Sequence, residues 1–243
     1  MDRCAVPYDD AICFGLAAVF IAISWVFLSL TREPPQPIPP ASETAFSMQR
    51  YLRGLPDILR ADANFRRYML SQMIISLSGM ATGFLTVYAV GQWQLSQGEA
   101  GRFTSVMLIG QALCNLLFGW LADYHGHKRV LEIAVLMGIL AALLALLAPT
   151  PLWFYGVFAL LGGNTAGMIL SGIMIVFEFA PPEQRPTYIG LNNTLVGIVA
   201  GLAPMLGGWL VGSLGYGALF GASFAIGAVG LAILTWAVKE PRE

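Results

Sequence analysis

Gly119 to Arg129 reads Gly-Trp-Leu-Ala-Asp-Tyr-His-Gly-His-Lys-Arg, a short charged stretch wedged between two long apolar runs. Asp123 closes the first run, where a carboxylate opposes the negative end of a helix macrodipole. It therefore needs Lys128, Arg129 or the positive N-terminus of another helix. Gly126 supplies the left-handed conformation that so short a reversal demands. Lys128 and Arg129 are placed to reach phospholipid headgroups. His125 and His127 are metal-ligating types, but a zinc site takes three or four ligands and no third stands nearby. No metal and no cofactor is expected.

A second group of polar residues lies deep inside apolar runs: Gln72, Gln111 with Asn115, Asn164 with Thr165, and Asn192 with Asn193. An amide left unpaired in hydrocarbon costs several kcal/mol, so these side chains should face a bundle interior or a wet cavity. They are the candidates for binding a small molecule. The plainer alternative is interhelical hydrogen bonding, worth about 0.6–2 kcal/mol each. Gln111 and Asn115 share a ridge that continues through Gly119 to Asp123. No Asp, Glu, Lys or His lies near the middle of any run, which leaves no intramembrane proton relay. No Ser/His/Asp set or carboxylate pair is present either, so enzymatic chemistry is not expected. Cys4, Cys13 and Cys114 are too scattered for a disulfide framework or a metal cluster.

The elements that must carry these residues are membrane helices. Of 243 residues, 57% are hydrophobic and 11% charged, against roughly 25% charged in soluble domains. The net charge of −1 says little by itself, and no nucleic-acid partner is expected. Ala11–Thr31 is free of charge and spans roughly 30 Å as a helix, one bilayer core. The acidic segment before it and its length argue against a signal peptide. Residues 32–67 form a polar linker, proline-rich at first, whose Phe46–Leu59 part can form a helix, either amphipathic on the membrane surface or a solvated linker helix. Six more apolar runs follow: Tyr68–Trp93, Phe103–Ala122, Val130–Ala148, Leu152–Phe179, Thr187–Gly212 and Gly217–Val238. The expected fold is all-α, a polytopic bundle of seven transmembrane helices organised as residues 1–31, 32–67 and 68–243.

Charge sets the orientation. Lys and Arg concentrate in the linker, the 123–129 and 180–186 loops and the C-terminus, leaving only Arg3 and Arg102 on the other side. The positive-inside rule then places the N-terminus outside and the linker and C-terminus in the cytoplasm. The runs ending at Thr31, Ala148 and Val238 lack deep amides and can face lipid. Small residues form stripes at Gly190, Thr194, Gly197, Gly201, Pro204 and Gly208, at Gly163, Gly167 and Ser171, and at Gly217, Gly221 and Ala225. Such faces let helix backbones approach closely.

Gly119, Asp123, Gly126, Lys128 and Arg129 resemble the cytoplasmic loop signature of the major facilitator superfamily, with Tyr124 and His127 standing where that family usually has basic residues. The resemblance covers nearly the whole chain but half of the family's twelve-helix architecture: helices six to twelve, with the signature between the eighth and ninth. It implies alternating-access transport of a small molecule in the cell membrane, with a cavity lined by the four amide-bearing helices. It also implies a cytoplasmic gate including Glu178 and Arg185, which could pair. Gly201, Pro204, Gly207 and Gly208 are similar to a motif of the family's exporters. Asp123 would meet the fifth helix, which implies an N-terminal six-helix half, or a homo-oligomer, as partner. The alternatives are a truncated, non-transporting remnant or assembly partner, and a seven-helix receptor. A retinal protein is excluded because Lys128 and Lys239, the only lysines, both lie at run ends.

Overall fold

The computed structural model describes residues 6–31 and 58–240, all helices, turns and short connections. The chain divides into two compact units, Met1–Ser47 and Met48–Glu243. The described part of the first is one helix, α1 (Val6–Ser29). It begins five residues before the expected span and takes in Asp9 and Asp10. Its apolar side chains occur on every face, the pattern of a helix built for lipid. The proline-rich part of the linker lies outside the described residues, as does the expected Phe46–Leu59 helix except for Ile58 and Leu59.

The second unit holds the remaining helices. α2 (Ala63–Ser78) starts five residues before Tyr68 because Asp62 caps it, accepting from the backbone N–H groups of Asn64 (3.0 Å) and Phe65 (2.9 Å). Phe65, assigned by sequence to the linker, is fully buried. A 3-10 segment, Gly79–Phe84, joins α2 to α3 (Leu85–Trp93) within one expected span. α4 (Gln97–His125) opens on a capping box: Ser96 Oγ accepts from the Glu99 N–H, and the Glu99 carboxylate accepts from the Ser96 N–H at 2.9 Å. One residue, Gly126, turns α4 into α5 (His127–Leu147). α6 (Trp153–Phe179) stops ahead of Pro181 and Pro182, as proline blocks dictate. α7 (Arg185–Ala237) has Pro186 in its first turn, where the missing N–H costs nothing.

α7 is too long to be one span. Gly215 (φ 82°, ψ 175°) breaks it into arms at 185–214 and 216–237. The chain turns back there, since a Cβ on Gly207 would lie 3.4 Å from Leu219 Cδ1, residues about 18 Å apart along a straight helix. Among the described residues five helical stretches are long and apolar enough to cross a membrane, and the last contains both arms.

Two large apolar cores fill the second unit, beside a smaller one of Phe118, Ala122, Val130, Ala134 and Ala166 where α4, α5 and α6 meet. One, at the Gly126 end, gathers Phe65, Tyr68, Leu131, Ile175, Tyr188 and Leu234. The other, at the far end, gathers Leu85, Phe103, Phe154, Leu219 and Phe220. Tyr88, Trp93 and Tyr216 stack around the second core at centroid distances of 5.0–5.7 Å, an aromatic belt of the kind that marks a membrane interface. Lipid tails are as apolar as leucine, so close packing and hydrogen bonds hold such helices together more than water exclusion does.

Candidate functional site

Between the two cores lies a cavity of about 220 Å³, lined by α2, the 3-10 segment, α5, α6 and one residue each of α3 and α7. Its polar residues are Gln72, Ser76, Ser78, Thr82 and Asn164, and it has no charged one. Gln72, 2% exposed, is held by a relay: its Nε2 donates to Tyr68 Oη (3.0 Å), and that hydroxyl donates to the Gly172 carbonyl (3.2 Å). Asn164 Nδ2 donates to the Ala134 carbonyl (2.8 Å) on α5. Gly138 makes room for it, since a Cβ there would lie 2.8 Å from Asn164 Nδ2.

The sequence had set α5 aside as free to face lipid because it carries no amide. One face of it is buried instead, along Leu131, Ala134, Val135, Ile139 and Ala142. Burial over its most apolar window reaches 44%, against 11% for the amide-bearing α4. Its small residues fit it for that place: Ala134 and Gly138 let α6 come close.

Of the six amide candidates, the structure brings Gln72 and Asn164 to one cavity and leaves the other four elsewhere. Gln111 and Asn115 are half-buried on α4 and make no side-chain hydrogen bond among the described residues. Asn192 donates to Asn193 Oδ1 (3.3 Å), with Asn193 exposed. Sequence reasoning missed Ser76, Thr82 and the helical discontinuity that carries Thr82. A signal was present in the paired glycines of Gly79-Met-Ala-Thr-Gly83. A 3-10 stretch inside a helix often marks a hinge or a strained site.

The chain reverses at Gly126, between α4 and α5. Gly126 has φ 84°, so its conformation requires glycine, and the Glu240 carboxylate lies against it, 2.5 Å from where a Cβ would stand. Gly119 is half-buried one turn before Asp123. Asp123 is exposed and forms no ion pair with Lys128 or Arg129. Lys128 instead reaches Glu132 (3.3 Å) and donates to the Thr235 carbonyl (3.3 Å). The end of α7 is tied further: Asn64 accepts from the Lys239 N–H (2.8 Å) and donates to the Lys239 carbonyl (3.0 Å), while Arg67 donates to Ala237 (3.3 Å). Carbonyls that a helix end leaves without partners are thus satisfied by side chains. A second cavity, about 1180 Å³, lies between this hairpin and Thr235–Glu240, with Arg129 on its wall.

Glu178 and Arg185 do not pair as expected. Glu178 Oε1 lies 4.0 Å from His127 Nε2, and His127 Nδ1 lies 3.1 Å from Ser171 Oγ. Arg185 sets its guanidinium over the Phe177 ring, 5.6 Å from the centroid. His127, one of the two departures from the signature, therefore links the hairpin to α6.

The profile of the Major Facilitator Superfamily matches residues 68–243. The chain is 28% identical over 145 residues to the niacin transporter NiaP of Acinetobacter baylyi, covering 60% of this chain and 31% of that one. It is 30% identical over 151 residues to the efflux pump apf11 of Gibberella fujikuroi, covering 61% and 26% respectively. A crystal structure of a D-xylose-proton symporter shares the fold at a TM-score of 0.50 and 17% identity, over 81% of this chain and 50% of that one. The chain spans no more than half the length of these relatives.

Proposed function

The chain belongs to the major facilitator superfamily and is a multi-pass membrane protein, and from that premise we propose that it forms the C-terminal half of a small-molecule transporter of the cell membrane. In this reading α1 is the sixth span, the second unit supplies the seventh to twelfth, and the loop at Gly126 and the C-terminus are cytoplasmic. The two halves rock about a ligand held near mid-membrane. The cavity between the two cores carries the reading: it sits at the break in a spanning helix and presents two anchored amides, Gln72 and Asn164, with three hydroxyls and no charge in its walls. No chemical conversion of the ligand is part of the function.

The exposed faces of α4 and the first arm of α7 receive the N-terminal half. Gln111, Asn115, Asn192 and Asn193 then lie towards that half and complete the polar pathway. Asp123, exposed at the end of α4, meets the positive N-terminus of a helix in that half. It thereby latches the cytoplasmic side shut, with Lys128, Arg129, Glu178 and Arg185 around it. Uptake by proteoliposomes tests this, with the chain reconstituted alone and together with a separately expressed N-terminal six-helix half. Saturable flux is expected only with both halves. Robust flux from the chain alone would overturn the half-transporter reading, and silence in both would favour a non-transporting remnant.

A further inference from the structure

From the walls of the 220 Å³ cavity we infer the class of its ligand: a small, uncharged molecule bearing at least two hydrogen-bond donors. The inference rests on the reading of that cavity as the binding site. None of its lining residues is ionisable. A charged ligand would leave water with no counter-ion to meet, and an unpaired charge in such surroundings is strongly disfavoured. A purely apolar ligand is disfavoured as well, because it would leave the amide oxygens dry and unpaired.

The direction of the hydrogen bonds follows from how the two amides are held. Gln72 is tied through Nε2 to Tyr68, and Asn164 through Nδ2 to the Ala134 carbonyl. Each planar amide is thereby oriented. The carbonyl oxygen of each is the part left without a hydrogen bond among the described residues, and both residues line the cavity. A carbonyl oxygen only accepts, so the ligand must donate to both, through hydroxyl or amide hydrogens. Ser78 Oγ already donates to the Ile75 carbonyl (2.7 Å), which leaves its lone pairs to accept as well. Ser76 and Thr82 can act in either sense. Ile75, Leu161 and Met168 supply apolar contact beside these groups. The volume lies below the roughly 300–1,000 Å³ of drug-sized pockets, which limits what this half of the protein grips to a compact group.

The test uses the full chain in lipid nanodiscs and three six-carbon probes of similar size: sorbitol (uncharged), gluconate (anionic) and glucosamine (cationic). Binding is read by isothermal titration and by thermal stabilisation. Sorbitol is expected to bind at least tenfold more tightly than either charged probe. Gln72→Leu and Asn164→Leu should each weaken sorbitol at least tenfold, while Asn164→Asp should shift the preference to glucosamine. Should the leucine variants fail to fold, Thr82→Ala, at the accessible rim, is expected to weaken sorbitol severalfold. Equal or tighter binding of gluconate or glucosamine overturns the inference, and so does absence of sorbitol binding, or sorbitol binding that no folded variant alters. Sorbitol binding without flux, when the partner half is supplied, would count against the transport reading and leave the ligand class standing. Flux of a charged solute with no sorbitol binding would do the reverse.

Discussion

On α6, a Cβ placed on Gly167 would run into Ala134 Cβ, and one on Gly163 would run into the end of Met137. On the first arm of α7, Cβ atoms placed on Gly190, Gly197 or Gly201 would meet nothing within 4 Å. Both helices carry small residues at spacings of three and four, and in a membrane both stripes serve the same purpose, close approach of another helix. The α6 stripe has made that approach, to α5 and α4. Over Gly190–Gly201 the α7 stripe has not made it among the described residues, and only its far end at Gly208 nears another segment, with Phe84 Cζ 3.7 Å from a Cβ placed there. A smooth helix face therefore reports that contact is possible, and what stands opposite decides whether it is used. In the proposed function the unused face belongs to the contact with the N-terminal half.

The comparison can be broken most sharply at Gly162, where a Cβ would overlap the Met107 carbonyl oxygen and lie 2.8 Å from the Gln111 nitrogen, both backbone atoms of α4. Gly162→Val should destabilise the chain by about 3 kcal/mol and remove the monodisperse peak in fluorescence-detected size exclusion. Asn164→Leu should cost about 1 kcal/mol through the lost bond to Ala134, measured by unfolding in mixed micelles. Asn64→Ala removes two bonds to the Lys239 backbone and should cost up to about 1 kcal/mol. Its signature is faster hydrogen exchange confined to the end of α7.

On the open side, Gly197→Leu should change the chain's own stability by less than about 0.5 kcal/mol. It should nevertheless abolish association with the N-terminal half in a pull-down. A loss of stability as large as that of Gly162→Val would erase the distinction between the stripes. Asp123→Asn should leave the stability of the chain unchanged as well, because Asp123 is exposed. In the assembled transporter it should lower flux more than expression, and equal losses of both would make the hairpin structural only.

Much of the fold was legible because a bilayer constrains sequence so strongly. The apolar runs from Phe103 to Phe179 correspond to α4, α5 and α6 with ends shifted by a few residues. The α4–α5 turn at Gly126 follows from the spacing of Asp123, Gly126 and Lys128. The break between the last two runs was expected near Gly212–Gly217 and occurs at Gly215. The start of α2 was misplaced because Arg66 and Arg67 disguised a buried turn. Their guanidinium groups reach the Leu59 and Ala237 carbonyls, while Phe65 faces the core.

The candidate site was legible in part. Periodicity located amides at depth, but six such residues on four helices can converge in many ways. Only packing shows that Gln72 and Asn164 share a cavity and that α5 closes it. The partner of Asn164 is a backbone carbonyl, which has no signature in the sequence. Glu178 meets His127, on another helix, rather than Arg185 seven residues along. Hydropathy and charge placement, which depend on each segment's own exchange with lipid and water, were fixed by the sequence alone. Which helix faces meet, and hence which amides share a cavity and which stay outside it, depends on contacts between segments remote in the chain, and only the tertiary structure decided it.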